Sequence, residues 1–233
     1  MRTPRLLRRL RRDRSGLAML EFAMMLPIFA TMCLGGAELT NYIITKMRLS
    51  QIALQLADNA ARIGSGTQLE AKTISELDIN DLLTGADLQA GELKLFTNGH
   101  VIISSVEPDT ATGHDGKSLI RWQRCKGDKT NLTSKYTPGQ NNLVGVGDDT
   151  RLVGAPSGGV TMFVELRYIY TPLIKTALSP TTEFREIASM MVRDRRDTSD
   201  DSKKSDGTNN PDSVHPNGVY KVTGVTAAQS ANC

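Results

Sequence analysis

A long apolar run that follows directly on a block of arginines limits what this chain can fold into. Residues 8–16 read RRLRRDRSG, and residues 17–45 then read LAMLEFAMMLPIFATMCLGGAELTNYIIT. From Leu17 to Ile44 the only charged residues are Glu21 and Glu38, and Phe22 to Ala37 carry no charge at all. At about 1.5 Å per residue a helix over 17–44 would measure roughly 42 Å, more than the ~30 Å hydrocarbon core of a bilayer requires. The stretch reads as a transmembrane helix over 17–45 rather than the core helix of a soluble domain.

Charge gives the orientation. Arg2, Arg5, Arg8, Arg9, Arg11, Arg12 and Arg14 precede the run against Asp13 alone, whereas only Lys46 and Arg48 follow it closely. Arginine is held on the cytoplasmic side, so the amino end is expected inside and the rest of the chain exported. A secretory signal peptide is disfavoured. Its apolar region is usually ~7–15 residues, and a small-x-small cleavage step should follow. Leu34-Gly35-Gly36-Ala37 is the nearest approach to one.

Glu21 is the informative oddity. A carboxylate at membrane depth costs about 2.5–3.5 kcal/mol by insertion scales, so it needs either interfacial water or a role. Its spacing is specific: Gly16, four uncharged residues, then Glu21-Phe22. A basic leader, a glycine, four residues, a glutamate and an aromatic opening an apolar helix resemble the prepilin-peptidase site of type IV pilins and pseudopilins. Arg14-Ser15-Gly16-Leu17 through Glu21-Phe22-Ala23, Leu26-Pro27 and Gly35-Gly36-Ala37-Glu38-Leu39 together resemble the TadE/TadG-like family, the minor pseudopilins of the Tad (Flp-type) type IVb pilus. A looser resemblance lies in Ile120-Arg121-Trp122-Gln123 and Tyr170-Thr171-Pro172-Leu173. The modest length, and the lack of an apolar strand leading into Asp197-Thr198-Ser199, favour the TadE or TadF type over the larger TadG type.

The resemblance implies cleavage between Gly16 and Leu17 by an inner-membrane prepilin peptidase. It further implies partners among other Tad pseudopilins, the major Flp pilin and the inner-membrane pilus platform, and a role in pilus assembly that supports adherence. Removing residues 1–16 takes seven of the 28 basic side chains and one of the 25 acidic ones, turning the net charge from +3 to −3. The leader thus carries the whole basic excess. After its removal the Leu17 ammonium of one subunit can pair with Glu21 of another and set register between helices. An alternative from a different class is a single-pass inner-membrane protein with a periplasmic domain, an uncleaved helix and no part in a pilus.

The helical period continues past the membrane. Leu49, Ile52, Ala53, Leu56, Ala60 and Ile63 form one stripe over 46–66, and Gly64-Ser65-Gly66 ends it. Pro27 removes one donor inside the helix, and Gly35-Gly36-Ala37 offers either a close-approach face for another helix or a soft point. Glu38 is expected near the far interface. Residues 67–233 read as an exported α+β domain. A short helix over 73–83 is expected to end at Gly85. A hairpin is expected from Leu93–Thr97 and His100–Val106 across Asn98-Gly99. Further strands are expected over 118–124, 159–170, 184–192 and 219–225, with Ile120 and Trp122 sharing a face. The pattern predicts a long amino-terminal helix packed on an antiparallel sheet, pilin-like. The stretches 127–158 and 193–217 read as loops, the second a flexible segment.

No catalytic set emerges: His100, His114 and His215 lack ligand spacing, and no nucleophile–base pattern is present. No cofactor is implied. Asp78-Ile79-Asn80-Asp81 lacks the alternating acids, central glycine and closing glutamate of a calcium loop. Ala111 to Ser118 fits a loose phosphate-loop pattern, but Leu119 to Arg124 alternates as a strand where that loop needs a helix. Basic patches with interleaved aromatics are missing outside the leader, which excludes a nucleic-acid binder. Cys33 falls inside the membrane helix. Cys125 and Cys233 fall on the exported, oxidising side and are expected to pair.

Overall fold

The computed structural model describes residues 16–67, 70–173, 183–205, 207–222 and 233. The leader proper and positions 223–225 of the last expected strand lie outside these. The elements, in chain order, are α1 (Leu17–Arg62), β1 (Ile74–Ser75), α2 (Glu76–Ala90), a 3-10 turn (Gly91–Leu93), α3 (Leu95–Asn98), β2 (Gly99–Pro108), β3 (Ser118–Lys126), β4 (Val146–Asp148), β5 (Arg151–Val153), β6 (Thr161–Ile169), β7 (Glu183–Met191), a 3-10 turn (Pro216–Gly218) and β8 (Val219–Tyr220). The class is α+β: a long amino-terminal helix followed by an antiparallel sheet.

The chain divides into two compact units, Met1–Ile44 with Pro172–Ser179, and Thr45–Thr171 with Pro180–Cys233. The described part of the first unit is the apolar portion of α1 together with Pro172 and Leu173. The second unit holds every strand. Its sheet is fully antiparallel in the order β3-β2-β6-β7. Two small pairs flank it, β4 with β5 and a parallel contact of β1 with β8.

Residues paired directly across antiparallel strands share a face. Val101, Ile103 and Ser105 of β2 therefore lie with Leu166, Val164 and Met162 of β6 on one face. This is the helical side. Arg124, paired to Ile103, forks onto Glu76 of α2, and Tyr168 donates to the Leu93 carbonyl. The stripe Leu49, Ile52, Ala53, Leu56, Ala57, Ala60 and Ala61 of α1 is buried in this unit's core.

The opposite face carries Ile102, Ser104, Phe163 and Glu165, and it is buried as well. The segment 127–158 covers it. Tyr136 meets Phe163 edge-on at 6.0 Å and exchanges hydrogen bonds with the Gly147 backbone. Val106, Ile120, Tyr136, Val146 and Phe163 form one cluster. Glu165, only 1% exposed, accepts from Arg185 at 2.9 Å and from the Ser134 hydroxyl. A stretch read as an insertion is thus the second layer of the domain.

Four expectations are corrected. The Asn98-Gly99 hairpin is absent: Leu95–Asn98 is a helical turn and Gly99 opens β2 in extended conformation. Gly99 is required for space instead, since a Cβ there would lie 2.6 Å from the Arg167 carbonyl. The helix begun near Thr73 starts at Glu76 and runs through Gly85 to Ala90, where Gly91, at φ +53°, ends it. Ser75 and Asp78 form its capping box, which gives Asp78 a structural task. Finally, Ile120 and Trp122 do not share a face. The register shifts so that Trp122 pairs with Ser105 and Ile120 with Val106, leaving Arg121 as a bulge.

The segment 193–217 is organised by hydrogen bonds rather than apolar burial. Asp200 accepts from the Ser202 and Asn217 amides, and Asp201 from the Val214 and His215 amides and the Ser213 hydroxyl. These bonds hold the Asp201 carboxyl down at a pKa of about 2. Lys72 brackets the segment's start, donating its amide to Arg195 and accepting from that of Asp197.

Candidate functional site: the amino-terminal helix

Leu17 to Ile44 forms helix because no residue before Pro27 interrupts the ladder and membrane-type helices tolerate a single proline. None of these residues is buried within the chain. Phe22 is 65% exposed and Met32 72%. An apolar surface of this length needs lipid or other helices to cover it. The helix is long and apolar enough to cross a membrane.

Gly16 sits at the helix boundary, and its carbonyl accepts the Leu20 amide at 3.1 Å. The Gly16–Leu17 bond therefore joins a turn residue to the first helical residue. Glu21 stands one turn further on, the i+4 neighbour of Leu17 on the same face. It is exposed, and among the described residues it has no ion-pair partner. A Cβ at Gly16, Gly35 or Gly36 would meet nothing within 4 Å. Nothing inside this chain thus demands glycine at those positions. The hydroxyls of Thr31 and Thr40 bond back to the Ile28 and Gly36 carbonyls, which hides their polarity from an apolar surrounding.

Glu38 is brought to a partner that the sequence did not suggest: it accepts the Leu173 amide at 2.8 Å. Cys125 and Cys233 are joined as a disulfide with Cα atoms 4.9 Å apart, while Cys33 is free on α1.

The other end of α1 lies in the second unit and is closed by a residue also missed in the sequence. The last carbonyls of a helix have no intrahelical donor. Arg196 reaches them from the polar 193–217 segment, donating to Ile63 at 2.9 Å and, more weakly, to Ala61 at 3.4 Å and Ala60 at 3.5 Å. Burial lowers its pKa from 12.5 to about 10, so it remains charged at neutral pH. The only sequence signal was a cluster of arginines in a stretch with almost no apolar side chains.

Among the described residues no second site competes with the helix. Two open grooves, about 280 and 450 Å³, are lined by charges that answer one another. Arg62 pairs with Asp58 and Lys72 with Asp194 in one; Lys135 pairs with Asp149 and Arg185 with Asp148 in the other. His114 bonds Asp109 in the β2–β3 connection, which holds the stretch resembling a phosphate loop. Among the described residues no cluster of three metal-ligating side chains is present.

Residues 16–65 match the family model described as TadE-like protein. The chain carries a TadE-like segment. The match begins on Gly16 and ends just past α1, so it covers the glycine, Glu21, Pro27, the Gly35-Gly36 pair and Glu38 together. No curated protein and no solved structure matches the chain.

Proposed function

We propose that this chain is a minor pseudopilin-like structural subunit used in assembling a Tad-type pilus, not an enzyme. The observation carrying the reading is that the TadE-like segment coincides with an apolar helix bearing one exposed carboxylate a turn from its start. The chain enters the inner membrane with its arginines in the cytoplasm and its α+β domain in the periplasm. A prepilin peptidase cuts between Gly16 and Leu17. The new Leu17 ammonium then meets Glu21 of a neighbouring pseudopilin or of the major pilin. Such a desolvated pair adds little net stability but fixes the stagger of adjacent helices, because an unmatched charge in lipid is costly. The open faces of Gly35 and Gly36 admit a second helix at close range. The Cys125–Cys233 bond forms after export.

Amino-terminal sequencing of the protein recovered from cells tests this. Leu17 is expected first; Met1 would leave a tethered envelope protein with no place in a fibre. Glu21→Ala should still be cleaved but should fail to co-purify with other pilins. Normal pilus-dependent adherence in that variant would remove the role assigned to the carboxylate.

A further inference from the structure

We propose that Pro172 and Leu173 form a membrane-interface contact, in which Glu38 holds the Leu173 amide and the leucine side chain enters the outer headgroup region of the bilayer. The inference rests on the reading of α1 as a membrane-spanning helix.

Depth is the first argument. Leu17 to Glu38 is 21 helical steps, or about 32 Å, close to one hydrocarbon thickness. With Leu17 at the cytoplasmic boundary, Glu38 stands at the outer one. Whatever bonds Glu38 is held at that level, and Leu173 does so at 2.8 Å.

Backbone chemistry is the second. Pro172 has no N–H, so the Leu173 amide is the first donor after it. A backbone donor at the edge of hydrocarbon must be matched within the protein, since water becomes scarce there. A carboxylate is the strongest acceptor a side chain can supply, and the bond is charge-assisted. The same bond gives Glu38 a reason to tolerate the interface.

Exposure is the third. Leu173 is 65% exposed, and so are its apolar counterparts on α1 at this level, Leu34 at 53% and Leu39 at 58%. The leucine thus extends an apolar surface that lipid already has to cover. Lipid is the occupant favoured over a second copy of the chain because this surface is continuous with the spanning helix.

The test places an environment-sensitive thiol probe on the full chain, with Cys33→Ser removing the free thiol. Probes go one at a time on Leu173→Cys, on Phe29→Cys within the helix and on Leu152→Cys, an exposed position of β5. The protein is reconstituted at low density in phosphatidylcholine–phosphatidylglycerol vesicles carrying a headgroup-level spin label, which reads positions 173 and 152, or an acyl-chain label near the bilayer centre, which reads position 29. Position 173 should be quenched several-fold more than position 152. Glu38→Ala should bring 173 down toward the level of 152 and leave 29 unchanged. Quenching at 29 with none at 173 overturns this inference but leaves the spanning helix intact; no quenching at either overturns both. Quenching at 173 that survives Glu38→Ala removes the carboxylate's part. Shielding of 173 that appears only at high protein density assigns the surface to a second copy and overturns the lipid contact.

Discussion

Replacing Arg196 by alanine tests whether a residue 133 positions away from Ile63 really closes α1. Three carbonyls lose their donor, those of Ala60, Ala61 and Ile63. Only the Ile63 bond is short, and a hydrogen bond to a charged group contributes about 1.5–3 kcal/mol. The contacts at 3.4 and 3.5 Å add little directly, but their carbonyls still lack an intrahelical donor. A space also opens beside Met162, whose sulfur lies 3.4 Å from the guanidinium. Against these losses stands relief. Burial lowers the arginine's pKa from 12.5 to about 10, a cost of roughly 3 kcal/mol on the charged form that alanine no longer carries. The bond loss and this relief are of similar size and offset one another, so the unmet carbonyls and the space set the net destabilisation, about 2 kcal/mol.

That arithmetic separates two variants. Arg196→Met fills the same volume without charge, so it avoids both the cavity and the desolvation and loses only the bonds. It should cost about 1 kcal/mol less than alanine, the share of the cavity, since apolar replacements of buried charges are often close to neutral. For a domain of this size 1 kcal/mol moves Tm by roughly 2–4 °C. Trp122 is the only tryptophan and is 3% exposed, so its emission during thermal unfolding of the full chain in detergent reads the second unit. The expected order is parent, then methionine, then alanine, with alanine lower by roughly 4–8 °C. An alanine variant as stable as the parent, or a methionine variant below alanine, would refute the capping role.

Three further outcomes follow from the same domain. Replacing both Cys125 and Cys233 by alanine should lower stability by about 2–5 kcal/mol, since the bond closes a long loop; chemical unfolding with and without reductant reads it, and peptide mapping without reduction checks the pairing. Gly127→Ala should destabilise by roughly 2 kcal/mol or more, because φ is +139° and a Cβ would come 2.3 Å from the Gly99 carbonyl; the midpoint of Trp122 emission measures it. Asp201 has a folded pKa of about 2, below its ordinary 3.8. Its contribution is therefore fully present above pH 4 and lost as pH falls toward 2. The protection factors of the Val214 and His215 amides, relative to intrinsic exchange at each pH, should fall across that window, and Asp201→Asn should flatten the change.

Elements with a strong period were legible. The stripe at 49, 52, 53, 56 and 60 predicted the buried face of α1, and alternation predicted β3 and β6 to within two residues at their ends. The TadE-like spacing of Gly16 and Glu21 was legible too, because it depends on residues along one helix. What failed depended on partners far away in sequence. Arg121 bulges without a glycine or proline to announce it. Asn98-Gly99 carries the local signal of a tight turn, but Gly99 answers to the close approach of β6. Both faces of β2 are buried, and the buried Glu165 opposite it is met by Ser134 and Arg185, partners that a period of two does not reveal. Segment 193–217 satisfies its backbone with aspartates, which composition alone cannot tell from a solvated linker.

The buried stripe of α1 also bears on why a subunit of this kind would be built on one unbroken helix. Leu49, Ile52 and Leu56 are each at most 4% exposed, and fully burying such a side chain is worth about 1.5–3 kcal/mol. The alanines at 53, 57, 60 and 61 add little each, but their small size lets neighbouring groups come close to the helix backbone. Residues 45–62 are thus a core element of the second unit, and the same helix continues into the segment that lipid or other helices must cover. Three large side chains outweigh the Arg196 cap severalfold, so substitutions along the stripe should unfold the domain. Substitutions at Glu21 or Gly35 disturb no contact among the described residues and should leave the Trp122 unfolding midpoint unchanged. Stability and assembly are then separable by position along one helix. A Glu21→Ala protein that loses both pilin partners and thermal stability would show that the amino-terminal carboxylate serves folding and not register.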